Sequence, residues 1–165
     1  MVQLWVNLPA SEKSTSPKYQ DLCDEQIPRV ALPEHAGEVR VIAGNYDGTA
    51  GPATTLTPIN VWDIQLNADR AAELTVAEGH TCVLILQQGK VIANGFPAKS
   101  VELVQLERDG SLIELKAEAS SRLLLLSGEP LHEPLAGQGP FVMNTREEIQ
   151  QAIADFQAGK VGALR

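Results

Sequence analysis

Apolar residues recur along this chain at alternate positions and in short runs, each closed by glycine, proline or a polar pair. That pattern predicts many short strands, the arrangement of a β-sandwich or barrel. Val2, Leu4, Val6 and Leu8 alternate with Gln3, Trp5 and Asn7, predicting a half-buried strand, and the polar stretch Ser11–Pro17 predicts a loop leading away from it. Val39–Ala43, ended by Gly44, predicts a further strand. Val61–Leu66 predicts another, with Trp62, Ile64 and Leu66 on one face and Val61, Asp63 and Gln65 on the other. Glu73–Val76 and Thr81–Leu86 continue the series. Gly89 between Cys82–Leu86 and Val91–Ala93 predicts a hairpin, because glycine accepts the positive φ of a tight reversal. Asp109-Gly110 between Val101–Leu106 and Leu112–Leu115 predicts a second one. Leu123–Leu126 is apolar without a break, as in a strand buried on both faces. Gly44–Gly51 reads as a flexible connection between strands.

One helix is signalled, from Arg146 to Ala158. Thr145 can cap its start while Glu148 returns a bond to the Thr145 amide, a capping box. Glu147 and Glu148 set negative charge on the positive end of the helix dipole. Ile149, Ala152, Ile153 and Phe156 form one apolar stripe, and Gly159 stands where a helix commonly ends. Gly128–Asn144, rich in proline and glycine, predicts an irregular segment.

Composition narrows the partners. The chain has 165 residues and a formal net charge of -8, with no cluster of Lys and Arg. A nucleic-acid backbone or an anionic membrane is therefore excluded as a direct partner. No apolar run approaches the roughly 20 residues that span a bilayer, and the first residues lack the charged and apolar blocks of a leader. Two cysteines, Cys23 and Cys82, are too few for a disulfide framework. The expected place is the cytoplasm.

Catalytic chemistry finds little local support. A metal held on adjacent strands needs imidazoles two residues apart, because such residues point to one side. The three histidines, His35, His80 and His132, are far apart in sequence and no pair shares a strand face. Glu78-Gly79-His80 is the nearest approach to a site, and reads better as a solvated pair in a surface turn. His35 reads as an exposed loop residue, and His132, beside Glu133, as part of a backbone-organising loop. Ser127-Gly128-Glu129 lacks the elbow of a serine hydrolase, and Gly44–Gly51 lacks the Lys-Ser/Thr ending of a phosphate loop. Cys23 is followed by Asp24 and Glu25, which oppose thiolate formation. No residue is assigned a catalytic, cofactor-binding or metal-binding role, and no cofactor is expected.

Several runs carry a family resemblance. Val2-Gln3-Leu4-Trp5-Val6-Asn7-Leu8-Pro9 and Pro17-Lys18-Tyr19-Gln20-Asp21-Leu22 resemble the middle linking segment of pirin-family proteins. Val39–Gly44, Ser127-Gly128-Glu129-Pro130-Leu131 and Gly139-Pro140-Phe141-Val142-Met143-Asn144-Thr145 resemble their second half. The resemblance implies a mainly β, cupin-type antiparallel barrel or sandwich with one carboxy-terminal helix. It divides the chain into a linker strand and loop (residues 1–22), a barrel (residues 23–144) and a closing helix with its tail (residues 145–165). In pirins the metal and the oxygenase chemistry belong to the first of two cupins, so the resemblance implies a metal-free domain with a structural or interaction role and no activity alone. Two alternatives stand beside it. One is a part of a quercetin 2,3-dioxygenase-like oxygenase whose metal cupin lies on another chain or a longer gene product; the other is a small-molecule-binding barrel. The amino-terminal strand is expected to meet a partner cupin domain or a second copy, giving a homodimer.

Overall fold

The structure is a computed structural model that describes residues 2–160. The chain divides into two compact units, one running from Gln20 to Pro130, the other made of the residues up to Tyr19 together with those from Leu131 onward.

The unit of residues 20–130 is built of strands. β1 (Arg29–Ala31), β2 (Gly37–Ala43), the ribbon β3 (Asn45–Tyr46) and β4 (Thr49–Ala50), β5 (Ile59–Leu66) and β6 (Ala71–Thr75) come first. β7 (Thr81–Gln88), β8 (Lys90–Ala93), β9 (Phe96–Lys99), β10 (Glu102–Leu106), β11 (Leu112–Ala117) and β12 (Ser121–Gly128) follow. Six form one antiparallel sheet in the order β1-β2-β5-β12-β7-β10, and four form another in the order β6-β11-β8-β9. Side chains alternate along each strand, so one face of each sheet turns to a common core. Trp62, Ile64, Leu84 and Leu125 come from the first sheet, and Leu74, Val91, Ile113 and Leu115 from the second, all buried. β12 lies between β5 and β7. Only its inner face, with Leu123 and Leu125, is fully buried, while Leu124 and Leu126 on the other face are half-buried.

Both predicted hairpins are corners instead. β7 pairs with β10 and β12, whereas β8 pairs with β9 and β11. Gly89 (φ 90°) thus turns the chain from one sheet into the other. A Cβ there would lie 2.2 Å from Ser121 Oγ and 2.5 Å from the Ser120 carbonyl oxygen, so the corner closes against the start of β12. Asp109-Gly110 likewise leads from β10 to β11, in different sheets. The favoured two-residue hairpin turns need positive φ at the first central residue, and type I′ at both, whereas here only the second, Gly110 (φ 85°), has it. Asn94-Gly95 meets the requirement with φ 45° and 83°, and joins β8 to β9 with Ala93 opposite Phe96. Asp47-Gly48 meets it too, with φ 47° and 75°. The stretch expected to be a flexible connection is therefore the ordered β3–β4 ribbon, and its Tyr46 meets Trp62 edge-on, ring centroids 5.0 Å apart.

In the second unit, the predicted amino-terminal strand is not one. Residues 2–9 carry no strand, and a 3₁₀ turn at Ala10–Glu12 follows. Alternation marks a strand only when a neighbouring backbone offers a ladder. Val2, Leu4 and Val6 are exposed together with Trp5, so the alternation marks no buried face. The segment expected to be irregular holds a small antiparallel pair, β13 (Ala136–Gln138) and β14 (Phe141–Met143). α1 (Arg146–Gln157) follows with the predicted capping box. Thr145 Oγ1 accepts from the Glu148 amide at 3.2 Å, and the Glu148 carboxylate accepts from the Thr145 amide at 2.9 Å. Ile149 is buried, and Phe156, though exposed, meets Phe141 edge-on. Gly159 (φ 70°) closes the helix. No helix among the described residues is long and apolar enough to cross a membrane.

Candidate functional site

The interior of the 20–130 unit is where a barrel of this kind would hold a metal or substrate. Its inward positions are occupied by Val41, Trp62, Ile64, Leu84, Leu115 and Leu125, which offer no metal donor. Cys82 is the one inward thiol, and burial pushes it up to about 11. It stays protonated near neutral pH, and a protonated thiol is a poor ligand and nucleophile.

The histidines do not converge. His35 ends the 3₁₀ turn Pro33–His35 with its ring exposed, while its carbonyl accepts from Asn67 Nδ2 at 2.8 Å. His132 is exposed in the other unit, at a left-handed φ of 53°. His80 closes the Ala77–His80 turn just before β7. Glu78 faces solvent as expected, but His80 does not: it is half-buried, and its Nδ1 is closed off without a hydrogen-bond partner. The expected solvated pair is thus split. Among the described residues no three His, Cys, Asp or Glu side chains gather as a metal site. The donor set of residues 20–130 does not fit the metal of an oxygenase.

The polar constellation that does form was not legible beforehand. Asp63 lies in the middle of β5, pointing away from the apolar core, and is only 2% exposed. Register sets Arg40 of β2 and Leu124 of β12 opposite it, with Arg122 two residues from Leu124 on the same face. Arg122 grips the carboxylate at two points, Nε to Oδ1 at 3.0 Å and Nη2 to Oδ2 at 2.6 Å. Arg40 Nη1 donates to Oδ2 at 2.6 Å, and its Nη2 donates to Asp24. Arg29 in turn binds Asp24 at 3.0 Å and Glu38 at 2.6 Å. Burial alone pushes the Asp63 carboxyl up, but the hydrogen bonds from Arg122 and then Arg40 outweigh it and hold it below the ordinary carboxylate value. An ionised, fully engaged carboxylate does not take up protons near neutral pH. The network binds the 3₁₀ turn Asp24–Gln26 to β1, β2, β5 and β12. Its role is to hold the fold.

Residues 61–162 match the Pirin C-terminal cupin domain. The chain belongs to the pirin family. It is 38% identical to human Pirin over 170 residues, covering 99% of this chain and 58% of that protein. It is 50% identical over 160 residues to a Pseudomonas aeruginosa protein provisionally named quercetin 2,3-dioxygenase, covering 97% of this chain and 56% of the relative. The crystal structure of quercetin 2,3-dioxygenase from Acinetobacter baumannii matches with a TM-score of 0.91 at 44% identity, over 98% of this chain and 56% of that one. The chain therefore spans a little over half the length of the curated relatives it matches. The pirin runs sit at structural joints: Val39–Gly44 forms most of β2, Ser127–Leu131 leaves β12, and Gly139–Thr145 carries β14 into α1.

Proposed function

We propose that this chain serves as the carboxy-terminal cupin of a pirin-type protein, with a structural and interaction role and no oxygenase activity alone. The observation that carries the reading is the apolar interior of residues 20–130, whose buried thiol, Cys82, stays protonated. Oxygenase chemistry of the kind named for its relatives, quercetin 2,3-dioxygenation, then belongs to a metal-binding cupin outside those residues. That the matched relatives extend well beyond the matched region supports this division. A cytoplasmic place accords with two cysteines that remain free, one exposed and one buried.

The interaction face lies in the other unit. Trp5 and Leu135 are each 69% exposed and line one cavity of about 400 Å³ with Leu8 and Val142. Val2, Leu4 and Val6 extend the exposed apolar surface beside it. A surface of this kind in a soluble protein marks a contact site, and the occupant proposed is a pirin-type metal-binding cupin.

The test is metal analysis with quercetin-dependent oxygen uptake, on the purified chain and on the chain co-expressed with a pirin-type amino-terminal cupin. The chain alone should hold only substoichiometric iron, nickel or copper and consume no oxygen. The partner should co-purify, and Trp5→Asp should release it. Stoichiometric metal with turnover by the chain alone would overturn the assignment. A dimer in light scattering that Trp5→Asp dissociates, with no partner captured, would give the face to a second copy instead.

A further inference from the structure

The two sheets of residues 20–130 have four edges, and three are blunted. β1 has three residues and carries Arg29, β6 carries Glu73, and β9 carries Pro97 and Lys99. Short length, charge and proline are the ordinary guards against a strand adding to an edge. β10 is the exception. Among the described residues it pairs only with β7, and Leu103-Val104-Gln105-Leu106 runs along it without a charge. Its one carboxylate, Glu102, is turned back to accept from the Lys99 amide at 3.0 Å.

A groove of about 560 Å³ follows this edge, and every residue from Leu103 to Glu107 lines it. Neighbouring side chains of a strand point to opposite faces. A space touched by five residues in a row therefore runs along the backbone, where an edge strand keeps its unpaired N–H and C=O groups. The opposite wall includes Leu112 and Ile113 of β11. These pair with Thr75 and Leu74 of β6 on one side, while β8 on the other reaches only to Leu115. A groove bounded by two backbone edges fits an extended chain.

The side chains around it say which kind of chain. Phe96, Leu103 and Leu112, from three strands, line it while exposed by 72%, 61% and 49%. Glu107 and Asp109 line the end beyond β10, both exposed and in no ion pair among the described residues. The lining holds no lysine or arginine. Apolar contact is offered along the groove, and uncompensated negative charge at its end.

We propose that β10 is a docking edge for an extended segment of another protein, apolar along its length and flanked by lysine or arginine. The segment adds as a further strand beside β10, its apolar side chains on Phe96, Leu103 and Leu112 and its cations on Glu107 and Asp109. Main-chain pairing gives such a contact its affinity, and side chains give it specificity. This contact goes beyond the role proposed for the Trp5 surface and does not rest on it.

The test is an NMR titration of the full chain with a capped peptide of alternating valine and threonine bearing two lysines at each end. The peptide should saturably shift the amides of Leu103–Leu106 and slow their hydrogen exchange, leaving Val41 unmoved. A peptide ending in glutamates instead should bind about tenfold more weakly, the worth of two exposed charge pairs. Glu107→Lys combined with Asp109→Lys should reverse that preference. Leu103→Asp should weaken both peptides while the Leu125 methyls keep their native shifts. Methylating the backbone nitrogens of the valines, or separately of the threonines, should abolish saturable binding in at least one of the two peptides. Shifts centred elsewhere, glutamate ends binding as tightly as lysine ends, an unreversed preference, or full binding by both methylated peptides would each overturn the proposal. So would no saturable shift at millimolar peptide, or a dimer in light scattering that Leu103→Asp dissociates, which would give the edge to a second copy.

Discussion

The two units keep their shape by different means. Residues 20–130 bury a continuous core from both sheets, and even their outward charge, Asp63, is covered and fully engaged. In the other unit Ile149 is the buried side chain of α1, and polar bonds hold much of the rest. Glu133 accepts from the Ala10 amide at 2.8 Å and from Asn144 Nδ2 at 2.9 Å, while Lys13 Nζ donates to Asn7 Oδ1 at 2.7 Å. Apolar burial is the main driving force of folding, whereas an exposed hydrogen bond exchanges one partner for water at little net gain. The first unit buries its apolar side chains within one core, whereas the second leaves Trp5, Leu135 and Phe156 exposed.

The comparison breaks most sharply at Asp63. Asp63→Ala leaves Arg40 without its covered partner and should cost about 3–5 kcal/mol, measured by urea unfolding at pH 7. A loss below about 1 kcal/mol would make the network ornamental. Its pH dependence has a defined sign. The folded Asp63 carboxyl lies below the ordinary value, so the unfolded chain takes the proton first. The stability it adds is complete well above pH ~4 and is lost as pH falls below that value. Asp63→Asn should therefore show a flatter acid limb than the wild type.

Amide hydrogen exchange should order the two units directly. The β12 amides, central in the six-stranded sheet, should open only with global unfolding, while those of residues 2–9 should exchange fastest. Equal protection would erase the contrast. At the helix, Thr145→Ala removes the cap of α1 and should cost about 1 kcal/mol, with faster exchange confined to Arg146–Gln150. The smallest expected effect has the opposite sign. Val101 is 92% exposed with φ 72°, a left-handed conformation that strains a β-branched residue. Val101→Gly should stabilise the chain by roughly 0.5–1 kcal/mol, read as a rise in melting temperature.

Local signals came through well, because their physics is local. The capping box at Thr145 and Glu148 needs only a spacing of three, and Val61–Leu66 shows its buried face in its own alternation. The same alternation at Val2–Leu8 misled, since nothing within those residues says whether a second backbone lies alongside. The turns divide by the same logic. Asp109-Gly110 and Asp47-Gly48 are the same dipeptide, yet one crosses between sheets and the other closes a hairpin. Asn94-Gly95, which does close a hairpin, drew no prediction at all.

What the chain's sequence determined alone is its family, its mainly β content and the capped helix, all carried by short runs of neighbours. The tertiary structure decided which strands pair, that Asp63 is gripped by an arginine 59 residues away, and that His80 is half-buried with its Nδ1 closed off. The reason is that strand pairing joins residues with no fixed spacing. The environment of a charge or an imidazole exists only once the sheets have closed around it.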